Sequence, residues 1–79
     1  DEPRLIAELR GAFVDIARRV LAVMEAAEGE QWTAAAFRLK GLAASFGAVR
    51  LMALAAEAAA APPGEQATLR KLHRAVDRF

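Results

Sequence analysis

Few side chains in this sequence are equipped for chemistry. The one imidazole is His73, cysteine is absent, and no pair of carboxylates sits at catalytic spacing. Asp1, Glu2, Glu8 and Asp15 are distributed around a helical stretch whose inner face is apolar, which is not how a general acid and base are arranged. His73 lies one turn from Leu69 and three residues before Val76, on the border of an apolar stripe, where a histidine is ordinarily a packing or surface residue. One histidine and no cysteine exclude a multi-histidine metal centre, a thiolate site and a disulfide. Neither G-x-x-x-x-G-K-S/T nor G-x-G-x-x-G occurs, so no phosphate-cradling loop is expected. An enzyme, a cofactor and a metal are therefore not expected.

What remains is the segment Trp32 to Gly47, W-T-A-A-A-F-R-L-K-G-L-A-A-S-F-G. Wound as a helix at about 100° per residue, it places Trp32, Ala35, Ala36, Leu42, Ala43 and Phe46 within about 60° of Leu39. Phe37 falls about 160° away, beside Ala34, Gly41 and Ala44, with Thr33, Lys40 and Ser45 at the edges. A large aromatic facing outward among small residues points to a docking surface rather than to core.

The run A-A-F-R-L-K-G-L-A-A-S-F-G-A resembles the motif of the histidine-phosphotransfer (HPt) family of two-component phosphorelays, A-H-x-L-K-G with a second glycine six residues after the first. Leu39, Lys40, Gly41, Gly47 and Ala48 stand in register with it, and Leu51 fits the leucine that follows. Phe37 occupies the position of the phosphate-accepting histidine. The resemblance implies a four-helix bundle whose partner is a response-regulator receiver domain, or the receiver domain of a hybrid kinase. It covers nearly the whole chain, although the flanking helices are generic bundle sequence.

Family chemistry requires a neutral imidazole nitrogen, which takes the phosphoryl group and passes it to a receiver aspartate. Phenylalanine has no lone pair to offer, Arg38 and Lys40 are cationic, and Ser45 is two turns away without an evident base. The resemblance therefore implies a module that docks a receiver without accepting phosphate, with Ala34, Phe37, Arg38, Lys40, Gly41, Ala44 and Ser45 as its docking face. Lys40, one turn after Phe37, would face the acidic pocket of the receiver; as a plain surface lysine it would have no partner. Gly41 costs a helix about 1 kcal/mol relative to alanine, so either another chain or a neighbouring helix must approach it closely. Phe37 has three possible roles: anchor in a partner's pocket, structural contact (against the N-terminal turn of the first helix, or with its own copy in a homodimer), or replacement of a native histidine in an ordinary phosphorelay domain. A purely structural or dimerisation bundle, using the Phe37 face or the third helix, is the remaining alternative.

The elements that must present this face are all helical. Pro3 suits a first turn, and Asp1 and Glu2 favour the positive end of a helix. Leu5, Leu9, Phe13, Ile16, Val20 and Met24 recur every three or four residues, widened by Ile6, Ala12, Ala17 and Leu21, and predict a long first helix ending near Glu28-Gly29. Gly11 within it suggests close packing. A second helix is expected over residues 30–45 and a third over 48–60, offering Val49, Leu51, Met52, Leu54, Ala55, Ala56 and Ala59 for packing. Pro62-Pro63-Gly64 stops the third helix. A fourth is expected over 65–78 with Leu69, Leu72, Val76 and Phe79 inward. Short links turn consecutive helices antiparallel, giving an up-down-up-down four-helix bundle in one domain, residues 1–79.

Composition sets the bounds. At 79 residues the core is thin, and 21 alanines favour helix throughout. No apolar run reaches the roughly 18 residues of a membrane span, and a cytoplasmic location is expected. The start at Asp1 suggests a piece of a longer protein. Net charge is +1, but residues 1–30 carry seven acids and four bases whereas 31–79 carry three acids and seven bases. That asymmetry either steers an acidic partner to the second half or reflects solvated helix faces. Arg70, Lys71, Arg74 and Arg78 form a basic strip that lacks the aromatic platform of a nucleic-acid surface, so neither nucleic acid nor membrane is an expected partner.

Overall fold

Asp1 starts the first helix by accepting the backbone N–H of Arg4 on its side chain at 2.9 Å, and Pro3 sits in the opening turn, where its missing donor is not needed. In a computed structural model describing all 79 residues, the chain forms four helices and no strand: α1 Glu2–Ala26, α2 Glu30–Ser45, α3 Val49–Ala60 and α4 Gln66–Arg78. The second matches its expected bounds, while α3 and α4 each begin one residue later than expected. α1 stops at Ala26, short of the expected Glu28-Gly29, with the Ala27 N–H closing on the Met24 carbonyl.

The stop after α2 has a specific geometry. Gly47 adopts φ +68°, the Ala48 N–H reaches the Ala43 carbonyl at 2.9 Å, and the Gly47 N–H reaches Ala44 at 3.2 Å. This is a Schellman termination, in which a left-handed residue just past the helix lets the chain satisfy its last carbonyls. The end of α3 is linked to the core in another way. Pro62 cannot donate to the Ala58 carbonyl, and that oxygen instead accepts the Trp32 indole N–H at 2.7 Å as well as the Ala61 N–H at 3.1 Å. Trp32 is fully buried, so its polar atom is satisfied where water cannot reach.

Each helix packs on two neighbours. α1 and α3 both touch α2 and α4, and neither diagonal pair is in contact, which is the packing of a helical bundle. Nineteen residues are buried, none of them polar, and eight of these are alanines. Large volume comes from Trp32, Phe13, Leu21, Met24, Leu39, Leu51, Leu72 and Val76. At one end Phe13 lies between Phe46 and Phe79, with ring centroids 4.8 and 4.6 Å away.

Four expectations need correction. Leu5, Ile6, Leu9, Ala12 and Ile16 are exposed rather than part of the core stripe. α1 has 25 residues, about 37 Å at 1.5 Å per residue, against 12 to 16 in the other helices. Phe46 and Phe79 end their elements level with Phe13, so the first three turns of α1 have no helix alongside, and the long axis extends to 44 Å; Ile16 lies past that level but in the sector of α1 shared by the exposed Val23. Val49 is 69% exposed instead of packed, because it lies about 160° around α3 from Leu51. Phe46, expected in the core stripe, remains 39% exposed at the end of the bundle. Gly11 meets no close neighbour: a Cβ built on it has nothing within 4 Å.

Candidate docking surface

α2 separates its two faces as its sequence predicts. Trp32, Ala35, Ala36, Leu39 and Ala43 are buried, Leu42 is half-buried, and Phe37 is 56% exposed on the opposite side. Ala34, Arg38, Gly41, Ala44 and Ser45 are exposed and Lys40 is half-buried. All seven predicted residues thus belong to one helix, with the phenyl ring projecting among the small side chains of Ala34, Gly41 and Ala44.

Local contacts define what this face offers. The Lys40 ammonium lies 6.0 Å from the Phe37 ring centroid, at the outer reach of a cation–π attraction. It adds positive charge beside the aromatic while Lys40 stays half-buried and Phe37 exposed. The Ser45 hydroxyl donates to the Gly41 carbonyl at 3.0 Å, a bond back along its own helix, and no base contacts it. Gly41 has open space where a Cβ would stand. Its helix-propensity penalty is thus not offset by packing inside the bundle, and the neighbouring-helix explanation for this glycine is removed.

The face continues onto α1. Val23 is exposed and, with Gln31, Ala34, Ala35 and Arg38, lines a shallow groove of about 330 Å³ between the two helices. Counting about 100° per residue from Val23, the exposed Leu5, Leu9, Ala12 and Ile16 fall within a sector of about 60° that includes it. Val23 was not among the residues predicted for the site. Its signal was this second apolar sector on α1, beside the buried sector of Phe13, Ala17, Val20 and Met24.

His73 is remote from this chemistry. Its Nε2 lies 2.5 Å from Glu25 Oε1, an α4–α1 contact, and Glu25 is about 160° around α1 from Val23. No group of three or more His, Cys, Asp or Glu side chains converges in a metal-ligating cluster. No helix is long and apolar enough to cross a membrane. Comparison with known proteins finds no match to this chain among family models, curated proteins or solved structures.

Proposed function

We propose that this chain is an HPt-like signalling module of a two-component system that docks a receiver domain through the outer face of α2 and does not accept phosphate. One observation carries the reading: the exposed Phe37 stands on a helix face kept flat by Ala34, Gly41 and Ala44, where the motif resemblance puts a phosphoacceptor. Seating that ring in a partner's pocket would remove a large apolar surface from water, worth about 2–3 kcal/mol. Arg38 and Lys40 supply positive charge at its edge, suited to the acidic pocket of a receiver. The module would hold its receiver as a scaffold or block access to it, a binding role rather than an enzymatic one. A cytoplasmic location belongs to the same reading.

An up-down-up-down topology is part of this proposal. It is supported by Phe13 meeting Phe46 while Val23 borders Ala34, and by Phe13 meeting Phe79 while Glu25 meets His73. Each helix pair in those contacts runs in opposite directions along the sequence.

Calorimetric titration against receiver domains tests the docking. Phe37→Asp and Gly41→Arg should each abolish measurable binding of a receiver that the unaltered chain retains. Unchanged affinity in either variant would sink the proposal.

The exposure of Phe37 also favours a second reading, in which an ordinary phosphorelay domain has lost its histidine. A ring that fills no core can be exchanged for imidazole without repacking. On this reading Phe37→His alone restores phosphoryl transfer from a phosphorylated receiver, measured by label retained on the chain. A folded variant that stays unlabelled argues against it.

A further inference from the structure

A half-open cleft of about 370 Å³ lies between the start of α3 and the outer side of α4. Arg50 and Leu51 form one wall, and Lys71, Arg74, Arg78 and Phe79 contribute to the other. The sequence shows only a basic strip along the last helix. The fold adds Arg50 from a different helix and turns the strip into a concave site with cations on both sides.

None of these four cations has a counterion. The ion pairs of the chain are Arg4–Glu8, Arg18–Asp77 and His73–Glu25, and no acidic side chain lines the cleft. All four are solvent-exposed, so water and salt screen their mutual repulsion, and an anion placed in the recess they line gains attraction from each. The backbone adds to this demand. Ala48 caps α3 without a side-chain oxygen, and the amides of Arg50 and Leu51 find no acceptor in the chain. The lining also carries apolar surface: Val49 is exposed and Ala75 and Phe79 are half-buried, while the Phe79 ring meets Phe13 in a tilted contact and Leu51 is buried.

We infer that this cleft binds a nucleoside di- or triphosphate. The three to four negative charges of such a ligand match the four unpaired cations, and its base can cover the apolar surface offered by Val49, Ala75 and the edge of Phe79. The volume falls within the range of small-ligand pockets, about 300–1,000 Å³. This site is separate from the α2 docking face and does not depend on its function.

Titration calorimetry with ADP, pyrophosphate and adenosine as probes, at low and high salt, tests the inference. ADP is expected to bind one-to-one with saturation, more tightly than pyrophosphate, with affinity falling as salt rises; adenosine alone should not bind. Arg50→Gln and Arg74→Gln should each weaken ADP by about tenfold or more, the loss of one charge-assisted contact. Arg70→Gln, on the same helix but outside the cleft, should leave it within about twofold, since only screened charge is lost. Circular dichroism checks each variant, and Lys71→Gln replaces any that loses helix. Absence of saturable ADP binding overturns the inference, as does an Arg70→Gln loss equal to that of Arg74→Gln. Pyrophosphate binding as tightly as ADP overturns the nucleoside assignment, and preference for a single-stranded oligonucleotide reassigns the surface to nucleic acid.

Discussion

Gly41 and Gly47 are six residues apart and answer to different physics. Gly41 has helical backbone and empty space at its missing Cβ, so Gly41→Ala should stabilise the fold by about 0.5–1 kcal/mol in urea unfolding. Gly47 sits at φ +68° in the Schellman turn, and Gly47→Ala should destabilise by about 1–2 kcal/mol in the same experiment. Opposite signs within one motif would show that Gly41 is not retained for folding. They would also make a docking loss in Gly41→Arg attributable to the partner rather than to a damaged bundle. A destabilised Gly41→Ala would contradict the open space seen around that residue.

The individual helix that most rewards a mutational comparison is α1. Phe13, buried between Phe46 and Phe79, should cost about 3–5 kcal/mol when changed to alanine, enough to threaten a domain of this size. Leu9→Lys, one turn earlier, should stay within about 0.5 kcal/mol because Leu9 is 51% exposed and lies beyond the end of the bundle, outside its core. Thermal unfolding of the two variants separates these outcomes. The same pair explains what could be read from the sequence. Gly47 and Pro62-Pro63-Gly64 mark chain reversals through local backbone chemistry, and the bounds of α2, α3 and α4 follow to within one residue. Burial along α1 is not a local property. Leu9 and Phe13 share the helical spacing, and which of them is covered depends on how far α2 and α4 reach along α1 and on which sector of α1 they face. The seven candidate residues were legible as one face because α2 is strongly two-sided. Val23 was not, since its exposure depends on where α2 lies against α1. The basic cleft was legible by half, as the α4 strip, because Arg50 joins it only through tertiary packing.

Taken whole, the molecule rests a small-residue interior on a few large side chains. Eight alanines among nineteen buried residues let the helices approach closely, while Trp32 and the Phe13 cluster fill the remaining volume. The two candidate surfaces draw on separate parts of this frame: the outer face of α2 with Val23, and the α3–α4 cleft. The bond from Trp32 to Ala58 has an optical consequence. The chain has one tryptophan and no tyrosine, so its indole emission arises at a single dry site joining α2 to α3. Trp32 points about 140° away from Phe37 on the same helix. Emission should therefore keep its short-wavelength maximum when a tryptophan-free partner docks, and move to longer wavelength only when urea separates α2 from α3. A red shift on docking would mean that the partner opens this seam, making the indole a reporter of binding as well as of unfolding.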